Sequence, residues 1–457
     1  MTTTRDVRSA VGEWVNRVAL QTPARLVLIA FGAVILVFTT LLKLPAATTS
    51  GHSASFIDAL FTATSAVCVT GLSTVNIATF WSPLGLTIIA IAIQVGGLGI
   101  MTLASLVGLA VSRRIGLTQR ILAAGEARAS GLGDVRSLLG IIVVVSAATE
   151  ILIGAVLFPR FLTLGYGLER SAGYAAFYAI SAFNNCGYSP DPAGLYPYAS
   201  DAWMLLPIAM GVFLGALGFP VYFNLLRAWR TPKKWTLHTK LTVTMVVVLS
   251  LVSAAMLLLF EWSNPGTLGD ETTGSTIGNV FFQSINQRSG GFSTFDIGNA
   301  TQQTWLLEDV LMFIGGGSGG TAGGIRVTTL AVLLLAIWAE ARGRRDMEAY
   351  GKRIGTEVLR LAVSVTLVSL FIVIVGAVVF MSVTGIPLDR ALYEVVSAFA
   401  TCGLSTGITP TLNTAGEVTL IVLMYVGRVG SLTVVTALAL NRQRRVIRYP
   451  AERPLVG

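Results

Sequence analysis

Four segments of this chain repeat one another without a gap, and that repeat restricts the possible folds more than any other feature. Aligned on a glycine, they read ALFTATSAVCVTGLST (Ala59–Thr74), AAFYAISAFNNCGYSP (Ala175–Pro190), NVFFQSINQRSGGFST (Asn279–Thr294) and ALYEVVSAFATCGLST (Ala391–Thr406). Gly71, Gly187, Gly291 and Gly403 share one column; Ser73, Ser189, Ser293 and Ser405 share another. The residue between them is Leu, Tyr, Phe or Leu, and the third column is aromatic throughout: Phe61, Phe177, Phe281 and Tyr393. Self-similarity at this period means one supersecondary unit used four times.

Around these segments run apolar stretches long enough to cross a bilayer, which takes about 20 residues. They are Ala24–Leu44, Leu84–Val111, Leu139–Phe158, Ala202–Leu226, Leu241–Phe260, Val358–Val383 and Val418–Leu440. Of the 457 residues 53% are hydrophobic and 12% charged, against roughly a quarter charged in a soluble domain. With a mean hydropathy of +0.73, the chain reads as an integral membrane protein partnered by the lipid bilayer. Met1–Pro23 carries Arg5, Arg8 and Arg17 but no cleavable apolar core, so it reads as a short cytoplasmic lead rather than a signal peptide.

A net charge of +9 invites a nucleic-acid reading, but its distribution argues against one. Most Lys and Arg residues fall in five patches: Arg5–Arg25, Arg113–Arg136, Arg227–Lys240, Arg342–Arg360 and Arg442–Arg453. Glu261, Asp270, Glu271, Asp296, Glu308 and Asp309 fall in the alternate stretches. Lys/Arg bias in short loops sets membrane orientation. The basic patches and both termini are therefore expected on the cytoplasmic side of the cell (inner) membrane, with no nucleic-acid partner.

Five basic patches separated by four outward excursions give eight spans in four pairs of like orientation. The expected fold is all-α: eight transmembrane helices in four parallel helix–pore-loop–helix repeats around a pseudo-fourfold ion pore. Residues 1–24 form the lead, 25–116, 136–230, 237–345 and 354–442 the four repeats, and 443–457 a cytoplasmic tail. Each linking segment begins with helix-compatible sequence too short to span, suited to a half-membrane helix. Asp58 and Asp389 stand just before two of these, where a carboxylate caps a helix N-terminus and suits its dipole.

Backbone outside a helix is tolerated at membrane depth only when buried in protein or lining water. Four such segments in parallel units can converge on one axis, where the C-terminal ends of the half-helices point partial negative charge at a cation. Glycine supplies the positive φ that other residues resist, so successive carbonyls can turn inward and replace an ion's water shell. The expected ion-binding residues are Val69, Thr70 and Gly71 in the first unit and Asn185, Cys186 and Gly187 in the second. Gly290 and Gly291 serve in the third, and Thr401, Cys402 and Gly403 in the fourth. One glycine per unit does not by itself distinguish potassium from sodium.

The second helix of the third unit carries seven glycines among the ten residues Gly315–Gly324. Each costs about 1 kcal/mol relative to Ala inside a helix, so the span is expected to break there. No Gly-Lys-Ser/Thr follows and no strand precedes, which removes a phosphate-binding loop; close packing through small residues needs fewer glycines. The expected gate is therefore an intramembrane loop of Gly315, Gly316, Gly317, Ser318, Gly319, Gly320, Thr321, Ala322, Gly323 and Gly324, with Arg428 beside it. Arg428 lies in "MYVGRVGSLTVV", inside a span, where a charge is costly and faces a partner or an aqueous cavity. Below the ion sites its charge would raise the barrier to a cation, with the loop carbonyls as its counterpart. Arg288, just before Gly291, reads as a brace on neighbouring carbonyls.

Cys68, Cys186 and Cys402 all lie in filter segments and read as packing residues. His52 and His238 are isolated, so no zinc or catalytic constellation is available. Nothing points to an enzyme.

On the four segments, the "NQRSGGF" form of the third, the glycine run and the buried arginine, the chain resembles the Trk/Ktr/HKT superfamily of potassium transporters over nearly its whole length. Within it the likeness is greatest to pore-forming subunits of the KtrB type. Only residues 1–24 precede the first span, where Trk-type proteins carry two further helices. The resemblance implies potassium as the transported ion at the filter residues, sodium as an activator, and no cofactor in this chain. It also implies a gating loop in the same helix, with an arginine near it at the position of Arg428. The expected partners are a second copy in a homodimer and a cytosolic, nucleotide-binding ring (KtrA-like) docking on the basic face. The expected function is thus channel-like potassium uptake. The alternative is a sodium-coupled secondary transporter of a small solute, although such carriers commonly show inverted repeats. A scaffold or receptor gives no reason for four filter segments.

Overall fold

The structure is a computed structural model that describes residues 23–113, 135–269 and 272–430. The expected cytoplasmic lead before residue 23, the basic stretch between the first two units and the expected tail at 443–457 lie outside the described residues. The first unit runs α1 (Pro23–Leu42), α2 (Phe56–Val67) and α3 (Pro83–Arg113). The second runs α4 (Val135–Thr163), α5 (Leu168–Asn184), α6 (Ala202–Leu217) and α7 (Phe219–Ala228). The third runs α8 (Leu237–Glu261), α9 (Thr273–Asn286), α10 (Gln302–Ile314) and α11 (Val327–Ala341). A small antiparallel hairpin, β1 (Met347–Ala349) and β2 (Lys352–Ile354), leads to the fourth unit. There α12 (Thr356–Thr384) and α13 (Leu388–Phe399) precede α14 (Thr414–Tyr425), which widens into a π-helical turn over Val426–Gly430.

Three described helical stretches are long and apolar enough to cross a bilayer alone: Gly140–Thr163, Leu237–Glu261 and Thr356–Thr384. The α6–α7 pair makes a fourth if counted as one span. Polarity is inverted relative to a soluble domain. Leu259 and Ile151 on the outside are 72% and 71% exposed, while Ser65, Asn184 and Gln283 are fully buried.

The sequence reading ran Ala202–Leu226 as one span, but the structure breaks it. Gly218 sits at φ +89°, Pro220 has no N–H to return to the Ala216 carbonyl, and α7 leaves α6 at 100°. The glycine run likewise ends α10 at Ile314, with Gly315 at φ +62°, and helix resumes only at Val327. The capping expectation needs correcting too. Asp58 and Asp389 lie in the first turns of α2 and α13, where a carboxylate suits the helix dipole. The cap on α2 is Ser55, whose Oγ accepts from the Asp58 N–H at 3.0 Å, and α13 has no side-chain cap.

The short helices α2, α5, α9 and α13 occupy the centre, and the second helix of three units seats against the C-terminal end of its own short helix. A Cβ on Gly96 would lie 2.7 Å from the Val67 carbonyl carbon, one on Gly215 3.0 Å from that of Phe183, and one on Gly427 2.7 Å from that of Phe399. Those three carbonyls occupy the same repeat column. Only glycine permits the approach.

Candidate functional site: the ion pathway

Three of the four short helices end the same way. Val69, Asn185 and Thr401, two residues before the aligned glycine, take the left-handed conformation at φ 55°, 60° and 48°. Their N–H groups donate to the carbonyls of Ala66, Ala182 and Ala398 at 3.1, 3.1 and 3.2 Å. The next N–H groups, of Thr70, Cys186 and Cys402, donate to Ser65, Ser181 and Ser397 at 2.7, 2.8 and 2.9 Å. This paired capping satisfies the last helical carbonyls and turns the chain sharply outward. Glycine or asparagine usually fills the left-handed position. Val69 and Thr401 are β-branched there, a strain of about 1–3 kcal/mol of the kind found at functional sites.

Beyond each turn the aligned glycine has positive φ: Gly71 at 97°, Gly187 at 83°, Gly291 at 71° and Gly403 at 94°. Their surroundings close a ring. A Cβ on Gly71 would strike the Cys186 carbonyl oxygen of the second unit, and one on Gly187 would lie 2.6 Å from Gly291 Cα of the third. A Cβ on Gly291 would lie 2.5 Å from the Cys402 oxygen of the fourth, and one on Gly403 would strike the Thr70 oxygen of the first. Of the filter residues expected from sequence, Thr70, Gly71, Cys186, Gly187, Gly291, Cys402 and Gly403 meet across neighbouring units, each glycine abutting the next.

The third unit departs from this symmetry. Ser289, in the left-handed column, does not have positive φ, and the N–H groups of Ser289 and Gly290 both donate to the Asn286 carbonyl, at 3.1 and 2.6 Å. Its helix is rotated by one residue. The aligned Phe281 is 50% exposed while Phe282 is 1% exposed and takes the core position. A gap-free alignment on Gly291 hides this slip, because the missing left-handed turn absorbs it between helix and glycine.

The serine column makes one local bond in every unit: Val75, Asp191, Phe295 and Gly407 each donate a backbone N–H to the serine two residues earlier. Outside the ring lies a vestibule of about 350 Å³, lined by the four glycines, the four serines and Asp296. Tyr196 also faces it; burial, then the Asp296 carboxylate, push its phenol above the ordinary value, so it presents a neutral hydroxyl. Among the described residues no group of three His, Cys, Asp or Glu is placed to hold a metal.

On the other side, the glycine loop fills the break between α6 and α7 by exchanging backbone hydrogen bonds with it. Gly317 N–H donates to the freed Ala216 carbonyl at 2.8 Å, Thr321 N–H to Gly215 at 3.2 Å, and Phe219 N–H to Gly319 at 3.2 Å. Each break thus supplies partners the other lacks. The buried Arg428 guanidinium donates through one NH group to the Thr321 carbonyl, while its Nε and other NH group have no hydrogen-bond partner. Its hydrogen-bond partner is thus the glycine loop. Arg288 differs from expectation: it donates to Ser250 Oγ on α8 at 2.9 Å and to no filter carbonyl. The three cysteines are buried and unpaired.

A family model described as the cation transport protein TrkH matches residues 28–448. The Ktr system potassium uptake protein B of Bacillus subtilis is 37% identical over 429 residues, covering 94% of this chain and 95% of that protein. The potassium/sodium uptake protein NtpJ of Enterococcus hirae is 34% identical, covering 95% of this chain and 97% of that protein. The crystal structure of the potassium transporter TrkH from Vibrio parahaemolyticus has the same fold, with a TM-score of 0.69 at 19% identity over 92% of this chain and 84% of that one.

Proposed function

This chain belongs to the TrkH family of cation transport proteins, and from that premise we propose that it is a channel-like potassium uptake protein of the cell membrane. Eight spans in the four repeats bounded above form one pseudo-fourfold pore with both termini inside. Potassium leaves its water shell for the carbonyls around Val69–Gly71, Asn185–Gly187, Gly290–Gly291 and Thr401–Gly403. Gly315–Gly324 and Arg428 form the barrier beneath. The observation that carries this reading is the closed ring of approaches, in which each aligned glycine abuts the next unit. Such a ring brings backbone oxygens of neighbouring units close together, as rings of carbonyls in ion filters do.

Potassium is chosen because relatives that this chain matches over most of its length are named as potassium uptake proteins, one as a potassium/sodium uptake protein. The name of the first as part of a Ktr system supports a regulatory partner, which we place as a nucleotide-binding ring on the basic cytoplasmic face of a homodimer.

Purified protein in proteoliposomes is expected to take up rubidium down a gradient with no organic solute present. Sodium outside should alter the rate without being required. Uptake that depends strictly on an added solute, in a matched series with and without sodium, would overturn the pore in favour of a sodium-coupled carrier.

A further inference from the structure

Glu394 lies in the middle of the short helix α13, and it is fully buried. Neither ion pair among the described residues involves it. Its partners are all neutral donors on the chain just outside Gly403. One oxygen accepts from Ser405 Oγ at 2.6 Å and from the Thr406 N–H at 3.0 Å; the other accepts from Thr409 Oγ1 at 2.8 Å. Gly403, Ser405 and Thr409 line the vestibule at the mouth of the ring.

The same position holds Thr62 and Tyr178 in the first two units and, given the one-residue rotation of its helix, Gln283 in the third. Tyr178 does a lesser version of the same task, its hydroxyl bonding Ser189 Oγ at 2.6 Å. Thr62 Oγ1 has no hydrogen-bond partner, and Gln283 Nε2 donates to Glu308 at 3.0 Å rather than to the rim. One column thus carries struts from helix to outer filter rim in two alternate units and none in the remaining two. Only the fourth ties down three residues of the rim, Ser405, Thr406 and Thr409, through a single carboxyl group.

We propose that Glu394 is a positioning residue for the filter, fixing the outer rim of the fourth segment so that the ring discriminates potassium from sodium. The inference rests on the pore reading above. A carbonyl ring favours the larger ion only while the spacing or number of its oxygens is held. Gly403 is linked to the rim through Leu404, so slack at Ser405–Thr409 passes directly to the Gly403 side of the ring.

The test is the ratio of rubidium to sodium flux in proteoliposomes of full-length variants. Glu394→Ala should lower the ratio about tenfold, equivalent to about 1.4 kcal/mol of discrimination. Glu394→Asp, too short to reach, should fall similarly. Glu394→Gln keeps an acceptor for Ser405 and Thr406 and a donor for Thr409, and should retain most of the ratio. The double variant Ser405→Ala/Thr409→Val removes the tether from its other end, and it serves should Glu394→Ala fail to assemble. An unaltered ratio in either the alanine or the double variant overturns the proposal, as does a glutamine variant that falls as far as alanine, which would make the charge and not the tether decisive. Absence of rubidium flux in the parent would count against the pore itself, whereas an unaltered ratio in conducting variants counts against Glu394 alone.

Discussion

Gly403→Ala is expected to cut rubidium flux and its preference over sodium by about a hundredfold. Two independent penalties meet at this residue. Its φ of +94° lies outside the region open to a side chain, which costs roughly 1–2 kcal/mol. The new Cβ would also stand 3.0 Å from Gly71 Cα and inside contact distance of the Thr70 carbonyl oxygen, a ligand in the proposed ring. Overpacking against rigid backbone adds about 1–3 kcal/mol. Together these amount to about 3 kcal/mol, a factor of about a hundred. Gly385→Ala separates the two terms: that glycine has φ +71° but nothing within 4 Å of an added Cβ. It should lose a little stability and keep its flux ratio. Proteoliposome flux measured as rubidium uptake against sodium competition, on variants of matched yield, checks both. A Gly403→Ala protein with parental flux and preference would remove the glycine from the filter.

Arg428→Gln is expected to raise flux about tenfold, and Arg428→Ala by at least as much. The guanidinium is buried, and one NH group holds the Thr321 carbonyl of the glycine loop. At an effective dielectric of about 20, a unit charge about 10 Å from a passing cation opposes it by roughly 1.7 kcal/mol. Glutamine removes that charge while keeping a donor for Thr321, so its effect isolates electrostatics. Alanine in addition frees the loop on one side, leaving it tied to α6 and α7 by the bonds at Ala216, Gly215 and Gly319. Shortening Gly315–Gly324 should raise flux by the same route. Macroscopic current or initial rubidium uptake in these variants is the readout. Parental rates in both Arg428→Gln and the shortened loop would leave the barrier to be sought elsewhere in the chain.

Much of this arrangement was readable from residues alone, because glycine is what both close backbone approach and positive φ demand. The aligned glycines pointed to the ring, and the glycine run to the end of α10. The misses have identifiable causes. Val69 and Thr401 occupy left-handed positions that β-branched residues normally avoid, so no sequence rule would place them there. The rotated helix of the third unit left its signature in two adjacent phenylalanines, of which the alignment chose the exposed one. The α6–α7 break was visible as Gly218 followed closely by Pro220 inside an apolar run, a combination the search for long spans passed over. Glu394 was equally visible, as an ionisable residue in a half-membrane helix, where one is costly unless it has work to do. Its partners became evident only when the chain beyond Gly403 was seen folded back over α13.

The claim on which the rest depends is that backbone oxygens around the four glycines hold the ion. Rubidium-soaked crystals of the detergent-purified protein, with anomalous difference density recorded at the rubidium edge, test it without recourse to flux. A rubidium peak is expected on the axis enclosed by Gly71, Gly187, Gly291 and Gly403, within coordination distance of the Thr70, Cys186 and Cys402 carbonyls. Rubidium bound elsewhere in the protein, with that axis empty at saturating concentration, would contradict it.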